Sequence, residues 1–239
     1  MKRNAKCFCG SGKKIKKCHF TVEPDSKLAN MYLDYLSFDK IIESRQKFNQ
    51  CPKGCSKCCN DLFDVSENEF LLILDEIMRI GGKSLLDQYK KKAIEYGEYL
   101  RLNFPKVMKK IDSSMPQSKN VLNILSYMMD GSDWDKSKSC IFLEDGKCSI
   151  YNARPVVCRK YGTCTSCPIS KNEPIVVNSL DDVAYIVYKD KTLLKRPYPL
   201  FYWFSHFLQG DYETMTFIKL KMMREKNELE YGAFTSQFY

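Results

Sequence analysis

Along residues 25–48, apolar side chains return at spacings of three and four, through Leu28, Met31, Tyr32, Tyr35, Leu36, Phe38, Ile41 and Ile42. That period predicts a core-facing helix, and Pro24-Asp25 is its start signal. Ser66-Glu-Asn-Glu69 reads as a capping box ahead of the apolar run Phe70, Leu71, Leu72, Ile73, Leu74, Ile77 and Met78, which Gly81-Gly82 ends. A further helix is expected from 84 to 103, apolar at Leu85, Leu86, Tyr89, Ala93, Tyr96 and Leu100, and Pro105 stops it. A short helical pattern follows at 105–111, then a polar loop at 113–119 and another short helix at 120–129. Residues 139–151 read as two short strands about a Glu144-Asp145-Gly146 turn. Beyond them come a strand at 174–177, an apolar segment at 183–188, an aromatic helix-like stretch at 198–208 and an amphipathic helix at 213–231, with Phe217, Ile218, Leu220, Met222 and Met223. The fold class implied is mainly α with a few short strands.

Composition sets the scale. With 239 residues, 44% apolar and 13% aromatic, the chain can bury a sizeable core as one large domain or two small ones. No uninterrupted run of about 18 apolar residues occurs, so no membrane span is expected. The opening Met-Lys-Arg-Asn-Ala-Lys-Cys has no apolar leader, which argues against secretion and for a reducing cytoplasm. The net charge of +9 is localised. Lys2, Arg3, Lys6, Lys13, Lys14, Lys16 and Lys17 crowd residues 1–20, where there is no acid, and the rest of the chain is close to balance.

That basic stretch carries chemistry. Cys7-x-Cys9, then Cys18-His19 after an eight-residue loop turned by Gly10 and Gly12, can close a tetrahedral Cys₃His zinc site. A second set of thiols begins at Cys51-Pro-Lys-Gly-Cys55-Ser-Lys-Cys58-Cys59. Neighbouring cysteines do not readily bridge each other, and the interleaved lysines, Ser56 and Asn60 make a poor core segment, so metal or cluster ligation is the reading. Cys140 and Cys148 lie on either side of the predicted hairpin turn, Cys158 follows, and Cys164-x-x-Cys167 adds ligands, a second site or a redox pair. Nine central thiols exceed what one tetrahedral metal needs, so two metals or a cluster with spare thiols would absorb them. Arg154 and Arg159 flank Cys158 and are candidates to hold such a cofactor by offering charge and N–H groups to its thiolates.

Two resemblances sharpen this. Cys-x-Cys-Gly-Ser-Gly-Lys-Lys with the closing Cys-His is similar to the SEC-C motif, the zinc-binding tail of the SecA preprotein translocase ATPase. This implies zinc and, since that tail docks on an acidic chaperone surface, an acidic protein partner for the basic knuckle. Cys51 to Cys59, then Cys148-Ser-Ile-Tyr151, then Arg154-Pro-x-x-Cys158-Arg159 resembles the CxxCxxCC family of zinc- or iron-chelating domains, apart from a Cys-x₃-Cys first gap that departs from the family's usual spacing. The expected organisation is a knuckle at 1–22 and a metal-stabilised helical cysteine-cluster domain at 23–239, with its site at about 50–168. The leading function is a metal-binding adaptor or metal-handling protein holding Zn²⁺ and, centrally, Zn²⁺ or an iron–sulfur cluster. Because flagellin lysine N-methylases carry the same cluster, the resemblance also admits a protein-lysine methyltransferase, and iron would admit a redox or electron-transfer role. No Gly-rich S-adenosylmethionine fingerprint is present, and the alternating strand–helix pattern of radical enzymes is missing. A nucleic-acid role would rest on the basic knuckle alone.

Overall fold

The centre of the molecule is a helix whose first arm is buried on every side. The computed structural model describes residues 4–45, 56–113, 138–160 and 198–225. The predicted strand at 174–177, the helix at 120–129, the apolar segment at 183–188, and Cys51, Cys55, Cys164 and Cys167 lie outside them. The described residues are mainly helical with a few short strands. Helix α1 spans Lys27–Arg45 and the central α2 spans Glu67–Asn103. Then come α3 (Pro105–Ser113), α4 (Val156–Lys160), α5 (Leu200–His206) and α6 (Gly210–Arg224).

α2 starts as the sequence dictates. The Ser66 hydroxyl accepts from the Glu69 amide at 3.2 Å, and Glu69 Oε2 accepts from the Ser66 amide at 3.0 Å. From Glu67 to Ile77 no residue reaches solvent appreciably, so this arm serves as the core rather than as an amphipathic wall. Its acids must therefore be partnered, and each one addresses a different neighbour. Glu67 pairs with Lys219 of α6. Glu69 accepts from Tyr35 of α1, Asp75 lies between His19 and Arg224, and Glu76 receives a two-point contact from Arg79 at 2.7 and 2.5 Å. The Gly81-Gly82 stop is realised as a kink: Gly82 leaves the helix at φ 60°, ψ −152°, and the chain resumes helix in a second arm.

That second arm is striped. Leu86, Tyr89, Ala93, Tyr96 and Leu100 are buried, and Tyr96 stacks on Phe201 at 4.9 Å. α5 packs its aromatics on the first arm, where Phe70 stacks on Trp203 at 4.9 Å and meets Phe204 edge-on. Strand β1 (Asp64–Val65) pairs antiparallel with β4 (Tyr198–Pro199), and the Trp203 indole N–H donates to the Val65 carbonyl at 2.9 Å. The expected hairpin is present but short, β2 (Leu143–Glu144) against β3 (Lys147–Cys148). Asp145 and Gly146 both take positive φ, the tight turn whose twist matches paired strands. Tyr89 seats this hairpin on α2, with its ring edge-on to Phe142 and its hydroxyl 2.8 Å from Ser149 Oγ.

The N-terminal stretch folds into a closed loop, with the Cys7 amide donating to Lys13 O at 2.8 Å and the Ile15 amide to Ala5 O at 3.0 Å. Its inner side packs on α1 through Phe8 and Tyr32, whose rings are 5.9 Å apart. Gly10 holds φ +75°, the left-handed conformation that favours glycine, and a Cβ there would have to push aside a terminal methyl of Leu36 at 2.6 Å.

Candidate metal centres

In the knuckle the ligand atoms of Cys7, Cys9, Cys18 and His19 all lie within 4.8 Å of one another. His19 Nδ1 stands 3.2 Å from both Cys7 Sγ and Cys18 Sγ, and Cys9 Sγ is 3.5 Å from Cys18 Sγ. A tetrahedral metal with bonds of about 2.3 Å needs ligand separations of about 3.8 Å, so a small outward relaxation admits it. Ser11 Oγ sits 3.2 Å from Cys9 Sγ and 3.3 Å from Cys18 Sγ, a hydroxyl between two sulfurs. All four ligands are buried, whereas Lys6, Lys13, Lys14, Lys16 and Lys17 are exposed. The loop thus separates a ligating interior from a cationic exterior.

The imidazole is gripped on both sides. Phe8 and Tyr32 flank its ring at 5.1 and 5.0 Å, and Nε2 lies 3.3 Å from Asp75 Oδ2. Without a metal, burial alone would lower the pKa of His19. Asp75 and the Cys9 sulfur outweigh it and push the value up to about 10. Cys9 is drawn down to about 3, through hydrogen bonds from Cys7, His19 and Ser11 that outweigh burial. Cys7, which shares that hydrogen bond, is pushed up instead, so before a cation arrives the thiolate is favoured on Cys9 and the thiol on Cys7.

The central thiols come from four separate elements. Cys58 sits on the short helical turn Lys57–Asn60, Cys140 just ahead of the hairpin, Cys148 at the end of β3 and Cys158 in α4. Each is pushed up. For Cys58 the contact with Cys59 leads and burial follows, while for the other three burial leads. Cys140 reaches about 12. Cys58, Cys140 and Cys148 each raise Cys158, so four like charges would converge on one space. A cation reverses that penalty. Cys140 accepts from the Phe142 amide and Cys148 from the Ile150 amide, the same two-residue step each time, and both bonds favour thiolate. Cys59 joins the halves of the site through its carbonyl, which accepts from the Cys140 amide at 2.6 Å. Among the described residues only the knuckle ligands close to within 4.8 Å, and the central sulfurs stand further apart.

The two arginines are placed beside this site. Arg159 donates to Asp39, to Arg154 O at 2.9 Å and to Asn152 O at 2.6 Å, with Tyr35 beneath it at 4.3 Å. Arg154 stacks on Tyr151 at 3.8 Å. Their hydrogen bonds and ion pairs go to backbone carbonyls and to Asp39, and it is their positive charge that reaches Cys148, favouring its thiolate. Two residues with roles at these sites escaped the sequence reading. Asp75 backs the knuckle histidine, and Glu69 accepts from the Val156 amide at 2.9 Å, holding the start of the helix that carries Cys158. The available signal was acids inside an otherwise apolar helical run, which burial makes costly unless each has an assigned partner.

Two family models match the chain. Residues 50–179, more than half of the chain, match the CxxCxxCC zinc- or iron-chelating domain. The chain belongs to the CxxCxxCC family. Residues 3–20 match the SEC-C motif. Among curated proteins, the methionine aminopeptidase of Chlamydia trachomatis serovar D is 41% identical over 56 residues, and that of Chlamydia muridarum is 39% identical over 56 residues. The match covers 23% of this chain and 19% of the length of each relative. No solved structure matches. This CxxCxxCC member is accordingly a metal-binding protein. Among its described residues, no helix is long and apolar enough to cross a membrane.

Proposed function

We propose that this protein carries two metal centres and acts as an adaptor or metal-handling protein. The first is one Zn²⁺ on Cys7, Cys9, Cys18 and His19, and the second is Zn²⁺ or an iron–sulfur cluster on Cys58, Cys140, Cys148 and Cys158. The observation that carries the reading is the closure of four soft and borderline ligands to within 4.8 Å in a buried loop. Three thiolates and a neutral imidazole on Zn²⁺ leave one net negative charge, which the surrounding lysines more than offset. Their exposed face suits an acidic protein surface, and Phe20, 72% exposed beside them, adds apolar area for contact.

Elemental analysis and an absorption spectrum of protein purified without oxygen test this reading. Two equivalents of zinc and a colourless solution support structural centres and the adaptor role. Iron with near-stoichiometric sulfide and a brown band near about 400 nm would place a cluster in the central site, and would turn the proposal toward the lysine-methylase or redox alternatives.

A further inference from the structure

The knuckle is joined to the far end of the described chain by a charge relay that neither zinc ligation nor the family match accounts for. His19 offers its two nitrogens in opposite directions: Nδ1 stands 3.2 Å from two sulfurs, and Nε2 stands 3.3 Å from Asp75 Oδ2. Ligation through Nδ1 requires the tautomer with its proton on Nε2. The Asp75 carboxylate lies 3.3 Å from Nε2, in ion-pair contact but out of line for a hydrogen bond, and its negative charge favours that tautomer. Asp75 is 3% exposed. Its second oxygen accepts from Arg224 Nε at 2.7 Å, in the last turn of α6. The Arg224 carbonyl in turn accepts from the Glu23 amide at 2.9 Å, four residues past His19. Two links therefore run between the knuckle and the end of α6, one through side chains and one through backbone.

We propose that Asp75 is a positioning residue for the knuckle metal, fixing Nδ1 of His19 as the ligand nitrogen. The Asp75–Arg224 pair then couples occupancy of the site to docking of the C-terminal turn of α6. The inference rests on the zinc reading of the knuckle. Arg224 offsets the charge that Asp75 adds beside an already anionic Cys₃His centre, and the rings of Phe8 and Tyr32 keep the imidazole plane from turning away. Filling the site favours the Asp75-facing ring, Asp75 holds Arg224, and α6 stays docked. Emptying it loosens the same chain of contacts.

The test uses the full chain and Zn²⁺, with ¹⁵N NMR of the His19 ring, competition against a chromophoric chelator, and hydrogen exchange at residues 219–224. Zinc-loaded wild type is expected to show metal on Nδ1 and a proton on Nε2. Asp75→Asn is expected to bind Zn²⁺ 10- to 100-fold more weakly. Arg224→Gln should show a smaller loss, and removal of zinc from wild type should speed exchange at 219–224. A wild-type spectrum with metal on Nε2 overturns the proposal whether or not any variant folds. So does an Asp75→Asn protein with unchanged affinity, or unchanged exchange in α6 when zinc leaves. If Cys7→Ser costs the protein no zinc, the zinc reading falls and this inference with it. Normal zinc loading with an indifferent Asp75→Asn sinks the inference alone.

Discussion

Glu69 accepts a hydrogen bond from the backbone amide of Val156 across 87 residues of sequence, at 2.9 Å. The same carboxylate caps α2 through Ser66 and accepts from the Tyr35 hydroxyl at 3.1 Å, so one buried acid fixes the start of the core helix, α1 and the turn that presents Cys158. Four donors converge on its two oxygens. Glu69→Gln turns one of those oxygens into a donor facing a donor, and is expected to cost about 2 kcal/mol. Urea unfolding followed by tryptophan fluorescence measures the loss, and central-site metal content should fall with it.

Asp64 presents the opposite case. Among the described residues neither of its carboxylate oxygens has a hydrogen-bond partner, and burial pushes its pKa up to about 7. A carboxyl with a raised folded-state pKa favours folding most when it is protonated in both states, below its ordinary value of about 3.9, and loses that contribution as pH climbs to about 7. Asp64→Asn should therefore match the parent at pH 4. It should gain stability progressively up to pH 7 and stay ahead by about 2–4 kcal/mol above it. Melting temperatures of both proteins between pH 4 and 8 decide the matter, and parallel curves would refute it.

Lys219 and Glu67 form an ion pair inside the protein, each about nine-tenths or more removed from solvent. Lys219→Met alone takes the Lys219 charge away from a buried carboxylate, at an expected cost of about 3 kcal/mol. Pairing it with Glu67→Leu should recover most of that loss. A double-mutant cycle on unfolding free energies reads both numbers.

Serine at Cys140, Cys148 or Cys158 is expected to remove the central metal while sparing that of the knuckle. Metal analysis of each variant should show one centre lost and the other retained. Because metal bonds to dispersed ligands contribute folding energy directly, the same variants should also lose cooperativity in thermal unfolding. Full central occupancy with Ser at all three positions would rule out these ligands.

Much of this molecule was legible from local pattern. The three-and-four period of α1, the Ser66–Glu69 capping box, the Gly81-Gly82 break and the Asp145-Gly146 turn each depend on residues a few positions apart, where backbone sterics and capping act. The Cys₃His set was legible for the same reason, since a 13-residue loop supplies all four ligands. Short-range chemistry also pointed to Cys58, Cys140, Cys148 and Cys158 as candidates. It could not separate these four from the five remaining central thiols. Among the described residues, the Lys57–Asn60 turn, the hairpin and α4 bring these four thiols into electrostatic range of one another, at distances that only the packed chain sets. Asp75 behind His19, and Glu69 beneath Val156, were likewise decided by tertiary structure. A buried acid costs too much to stand alone, yet sequence does not say which distant donor will meet it.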